Sequence, residues 1–205
     1  MQEPRQLHRW SCTSAAFSLI ELLVVVAVLL TLTVLYWNHG PSRRDVDLTA
    51  CRQNLEKIYL AMEIYARDSA EKYPVASNAL TSEDALALLV PHYTSETSVF
   101  LCPASSDAPL PAGKSFHDWK ISYAYYMGRR SSESDAVLMS DKQVNPFSKN
   151  TGDTVFSDNG KPPGNNHGKG GGNFLTCSGG VVSSSGNAPF SLTLTPPVVL
   201  LNPKP

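Results

Sequence analysis

The 205-residue chain carries little charge of either sign: 17 Lys and Arg stand against 18 Asp and Glu, for a net charge of −1. No basic surplus is available to neutralise a phosphate backbone, so nucleic acid is not an expected partner. Cysteine is also sparse. Of the four, at positions 12, 51, 102 and 177, no two are spaced C-x-x-C, which argues against a zinc site. Ser, His and Asp all occur, but no G-x-S-x-G nucleophile elbow accompanies them. The glycine-rich stretch from Asn165 to Gly172 lacks the GxxxxGK[ST] spacing of a phosphate loop and reads as a solvated turn around His167. The chain is therefore expected not to be an enzyme, and internal repeats are absent.

Long hydrophobic runs are absent too, with one exception. From Phe17 to Trp37 the chain is apolar except for Glu21 and a few hydroxyls. That length suits a membrane-crossing helix, which needs roughly 20 apolar residues. A carboxylate inside such a helix costs about 2.5 kcal/mol or more, so Glu21 requires an explanation. Small residues, Ser14-Ala15-Ala16, precede the run, and Tyr36-Trp37-Asn38-His39-Gly40-Pro41 follows it, the reverse of a secretory signal peptide. Arg5 and Arg9 lie before the span, while Arg43 and Arg44 after it are offset by Asp45 and Asp47. The positive-inside rule then puts the amino terminus in the cytoplasm and the bulk of the chain outside.

Ala16-Phe17-Ser18-Leu19-Ile20-Glu21 resembles the class III signal of type IV pilins and type II secretion pseudopilins, written Gly-Phe-Thr-Leu-Ile-Glu. Ala16 stands where that family favours Gly. The resemblance implies cleavage between Ala16 and Phe17 by a prepilin peptidase and N-methylation of Phe17. It also implies that Glu21 pairs with the terminal amine of a neighbouring subunit and sets the register of a helical assembly; placement of Glu21 in the headgroup layer is the alternative. Later segments are similar to a pilin-like family with an H-x9-DG motif. They are Cys51-Arg52-Gln53-Asn54-Leu55-Glu56-Lys57-Ile58, Tyr73-Pro74, Val99-Phe100-Leu101-Cys102-Pro103 and Ser122-Tyr123-Ala124-Tyr125. At the motif's place, ten residues (168 to 177) separate His167 from Ser178-Gly179, not nine from Asp-Gly.

The fold so implied is α+β and pilin-like: a long N-terminal helix, half transmembrane and half amphipathic, packed on a small antiparallel sheet. Its parts are a leader (1–16), a transmembrane and assembly helix (17–37) and a periplasmic domain (38–205). The implied function is a structural subunit of a type II secretion pseudopilus or a type IV pilus-like filament, without cofactor. Its partners are prepilin peptidase, other pilin or pseudopilin subunits and the inner membrane. Loss of the leader removes Cys12, leaving three alternative single pairs among Cys51, Cys102 and Cys177, of which the resemblance implies Cys51 with Cys102; three buried free thiols are the alternative.

Within 38–205, Gly40-Pro41 interrupts helical propensity. Leu48, Cys51, Leu55, Ile58, Tyr59, Met62, Tyr65 and Ala66 then recur at three- and four-residue steps, predicting an amphipathic helix over about 44–70 with core on that stripe. Arg52 with Glu56 and Glu63 with Arg67 are expected i,i+4 pairs. Thr81-Ser82-Glu83-Asp84 starts a short helix over about 82–90. Strand patterns fall at 121–127, 136–140, 172–176 and 181–183, with a last one at 191–195. The loop 142–171 is long enough to be read as functional or mobile. Asp141, Asp153 and Asp158, with Asn159, are candidate oxygen ligands for calcium. They support a rival function, a membrane-anchored periplasmic binding module that does not polymerise.

Overall fold

The computed structural model describes residues 18–37 and 42–205; Cys12, Ala16 and Phe17 lie outside the described residues. The chain divides into two compact units with the boundary after Pro41. In the first, helix α1 (Leu19–Trp37) runs through the apolar stretch, and Leu19–Tyr36 is long and apolar enough to cross a membrane, with none of it buried.

The second unit, Ser42–Pro205, is α+β. Helix α2 (Arg43–Asp68) begins at a capping box in which Ser42 and Asp45 satisfy each other's backbone N–H groups. Its buried face, Cys51, Leu55, Ile58, Ala61, Met62 and Ala66, follows the expected stripe, and Arg52 pairs with Glu56 at 3.1 Å. Glu63 does not pair with Arg67; it accepts a 2.6 Å hydrogen bond from the Tyr73 hydroxyl. The helix ends before Tyr73-Pro74 because Ala70 and Glu71 turn to positive φ (53° and 62°), and the Glu71 N–H returns to the Ala66 carbonyl. Helix α3 (Ser82–Leu86) continues as a 3₁₀ turn, Ala87–Leu89.

Five antiparallel strands form one sheet, in the order β4-β3-β2-β1-β5. They are β1 (Tyr123–Met127), β2 (Val137–Asp141), β3 (Gly172–Thr176), β4 (Val181–Ser184) and β5 (Val199–Leu201). The last strand expected at 191–195 is not formed: Leu192 makes only an isolated bridge with Lys149. Pro196 and Pro197 lack N–H donors, and the pairing resumes beyond them, with Leu201 opposite Tyr125 and Val199 opposite Met127.

Side chains alternate between two cores. Tyr123, Tyr125, Met139, Leu175 and Leu201 pack with α2 and α3 on one face. Ala124, Tyr126, Phe174 and Leu200 point to the other, where Val155, Phe156, Ala188, Leu192 and Val198 cover them. The region read as a long structureless loop is thus a packed layer. Lys149, 5% exposed, holds it by donating from Nζ to Gln143 Oε1, Asn145 O and Phe147 O at 2.9–3.0 Å.

Candidate functional site

At the end of the central strand β2, on the face toward α2, four segments deliver chemically active side chains to one place. Cys51 comes from the buried face of α2, and Cys102 follows a 3₁₀ turn (Thr97–Phe100) anchored by Val99 and Phe100. Asn54 reinforces that approach by donating to the Leu101 carbonyl at 2.8 Å. Cys51 and Cys102, the pair implied by the resemblance, are joined in a disulfide with Cα atoms 5.3 Å apart.

Asp141 ends β2, and His167 comes from the glycine-rich stretch. Their side chains are 1% and 0% exposed, and His167 Nε2 lies 3.4 Å from both Asp141 Oδ2 and Cys102 Sγ. The carboxylate is further held by Asn166 Nδ2 on Oδ1 and the Asn173 backbone N–H on Oδ2, each at 2.8 Å. His167 Nδ1 is buried and has no hydrogen-bond partner among the described residues. A cleft of about 270 Å³ lies beside the cluster, lined by Arg43, Arg44, Asp47, Ala104, Asn166, His167 and Gly168, while the imidazole itself stays buried.

The solvated-turn reading of 165–172 is corrected here: Asn166 and His167 are buried at 4% and 7% exposure. The glycines serve close packing, not exposure. Gly171 has φ +80°, and a Cβ there would collide with the Ser184 carbonyl; a Cβ on Gly172 would come within 2.9 Å of Asp141 Cβ and of the Phe156 ring. The missing C-x-x-C spacing likewise hid a cluster in which Cys51, Cys102, Asp141 and His167 place four ligand atoms within 4.8 Å of one another. The sequence expectations place His167 in a turn and not in a site. Its place in the H-x9-DG resemblance was the one available signal, because no local spacing links positions 51, 102, 141 and 167.

The three calcium candidates do not converge. Asp141 belongs to the buried cluster, Asp153 caps its own turn by accepting from the Asn150 N–H at 2.7 Å, and Asp158 is exposed on the loop. Cys177 is buried and free; burial, with Glu133 nearby, pushes its thiol up to about 12. Such a thiol is a packing group and not a nucleophile at neutral pH. The neighbouring Tyr73 phenol is pushed up by burial and by Glu63.

Glu21 sits in the first turn of α1, where the helix dipole favours an anion. Its Oε2 accepts from the Ser18 N–H and Oγ, both at 3.1 Å, while the Glu21 N–H donates to Ser18 Oγ at 3.3 Å. The chain thereby supplies local donors to the one carboxylate in the apolar helix. Comparison with family models, with curated proteins and with solved structures gives no match.

Proposed function

We propose that the chain is a pilin-like filament subunit, cut between Ala16 and Phe17, N-methylated on Phe17 and assembled through α1. The observation that carries this reading is Glu21, a carboxylate set five positions after the small-residue site, at the head of an otherwise apolar helix. In a single chain Ser18 holds that carboxylate. In an assembly the new terminal amine of a neighbour would replace those weak donors with a cation, offsetting the desolvation of the charge. The amine exists only after cleavage, so processing would license polymerisation. Lipid covers the apolar helix before assembly, and helix packing replaces lipid in the filament core.

Arg5 and Arg9 support a single-pass topology with the folded unit on the periplasmic side of the inner membrane. Prepilin peptidase and other pilin or pseudopilin subunits are the partners this reading requires, in a type II secretion pseudopilus or a type IV pilus-like filament. Intact mass of the protein purified from membranes tests it: the expected chain starts at Phe17 and carries one added methyl. A chain still starting at Met1 would leave a tethered module and no polymer. Glu21→Ala is expected to be cut normally yet to enter filaments at least about tenfold less, as loss of roughly 1.4 kcal/mol or more in register energy requires. Pelleted filaments quantified against the membrane pool measure it.

A further inference from the structure

The buried cluster beside α2 contains more than a disulfide needs. A disulfide is neutral and requires neither an imidazole nor a carboxylate, yet both are packed against it with their side chains excluded from water. Desolvating a carboxylate is unfavourable unless a cation or strong donors compensate. Here two N–H donors fix the Asp141 carboxylate, and His167 Nε2 stands between it and Cys102 Sγ.

We propose that, when Cys51 and Cys102 are reduced, the two thiolates, His167 Nε2 and Asp141 Oδ2 bind one zinc ion. The donor set is the kind zinc takes in closed, four-ligand structural sites, with bonds of about 2.3 Å to sulfur and about 2.0–2.1 Å to nitrogen and oxygen. Tetrahedral angles on those bonds put nitrogen and oxygen about 3.3 Å apart and nitrogen and sulfur about 3.6 Å apart. The two separations at His167 Nε2 are both 3.4 Å, already close to two edges of that tetrahedron. The sulfur–sulfur edge is closed by the covalent bond, so metal and disulfide exclude each other. Asn166 and Asn173 then act from the outside, orienting the carboxylate toward the metal. With Nε2 on zinc, the ring proton sits on Nδ1, which lacks a partner among the described residues. Loss of such an outer acceptor lowers affinity by about 10–100-fold relative to a supported site. The cleft beside His167 leaves only a thin layer between solvent and the cluster, which a metal ion would cross through local opening.

The chemistry balances with a phosphine as reductant. Two electrons from phosphorus break the sulfur–sulfur bond, water supplies the oxygen of the phosphine oxide and the two protons that form thiols, and zinc binding releases those two protons. Reoxidation by a small-molecule disulfide restores the protein disulfide, expels Zn²⁺ and gives two small-molecule thiolates, which take up two protons from water. The disulfide ties two of the four segments and the metal would tie all four, so the metal would hold the fold before oxidation. This inference does not depend on filament assembly.

The test uses the full chain in detergent, reduced with a phosphine, dialysed against Zn²⁺ or Co²⁺ and desalted. About one zinc per reduced chain is expected, with thiolate-to-cobalt charge-transfer absorption in the Co²⁺ form, and essentially none in the oxidised chain. His167→Ala and Asp141→Asn should each weaken binding at least about tenfold with circular dichroism unchanged, and Cys177→Ser should leave it intact. The idea is overturned if the reduced chain takes up no zinc, if it unfolds despite zinc, if the oxidised chain binds equally, or if neither ligand substitution alters affinity. Should one variant fail to fold, the cobalt spectrum of the wild type still decides, since a Co²⁺ form lacking thiolate bands sinks the assignment.

Discussion

The central strands of the sheet are buried on both faces, by different means. On one, α2 and α3 lay a periodic apolar stripe over Tyr123, Tyr125, Met139 and Leu175, and a disulfide pins α2 to the segment before β1. On the other, irregular chain between β2 and β5 delivers isolated apolar residues to Ala124, Tyr126 and Phe174. A helix satisfies its own backbone and needs only side-chain packing, whereas a loop layer must find a partner for every buried N–H and C=O. The second face finds them in short bridges, such as Val144 N to Val155 O and Lys149 N to Leu192 O, and in the buried Lys149 ammonium. Burial on both faces therefore does not imply equal legibility or equal fragility.

The largest effects test whether the loop layer is core at all. Phe156 is fully buried with its ring 5.1 Å from Phe174, and Phe100 on the helix side is equally buried, 4.8 Å from Phe116. Phe156→Ala and Phe100→Ala are each expected to destabilise by about 4 kcal/mol. Urea unfolding of the detergent-solubilised chain, followed by tryptophan fluorescence, measures both. A loss below about 1 kcal/mol for Phe156→Ala alone would show that the loop face collapses around its holes and is not a second core.

Next comes the cross-link that only the helix face possesses. The disulfide closes a loop with a sequence separation of 51. Replacing both Cys51 and Cys102 by Ser is expected to cost about 3 kcal/mol, chiefly by freeing the unfolded chain. Chelator in the buffer keeps metal out of the comparison. Protection from hydrogen exchange should fall first in α2, because that is the element the bond secures.

What could be read from the residues divides along the same line. The α2 stripe, the α3 start and four strands follow from 3.6- and 2-residue periodicity, which local sequence carries. The fifth strand did not, because Ser191-Leu192-Thr193-Leu194-Thr195 alternates like a strand while the residues that pair, Val199–Leu201, stand behind two prolines. The loop layer has no period, since Val155, Phe156, Ala188 and Leu192 reach the sheet from separate turns. The cluster of Cys51, Cys102, Asp141 and His167 is equally non-local. Asp141 was singled out for its oxygen chemistry, but with Asp153 and Asp158, neighbours in sequence that the fold does not bring to it.

On the loop face a smaller effect attaches to Lys149. Burial pulls its pKa below the ordinary lysine value, yet three oxygens accept from Nζ. Lys149→Met keeps the apolar stem and leaves three acceptors unsatisfied, for an expected loss of about 2 kcal/mol. Exchange protection around 143–149 should drop while α2 is unaffected. A simultaneous loss in α2 would mean that the two faces do not behave as separable layers.

The smallest effect returns to the helix face and depends on pH. Asp84 sits at the third position of α3 and accepts from the Leu80 and Thr81 N–H groups, each at 2.8 Å, with His117 Nδ1 2.9 Å away. Burial pushes its pKa up, but those backbone bonds, with the Thr81 side chain and His117, outweigh it and hold the carboxylate below its ordinary value. A folded pKa below the unfolded one means that the unfolded state binds more protons in between. The contribution is therefore complete above the unfolded value of about 4 and disappears as pH falls through the lower folded value. Asp84→Ala should cost about 1 kcal/mol at neutral pH, the usual worth of a helix cap. The gap from wild type should close only in that acid window, as stability curves at a series of pH values would record. A gap that persists unchanged below it would assign the effect to packing and remove the ionised cap from the helix side of the comparison.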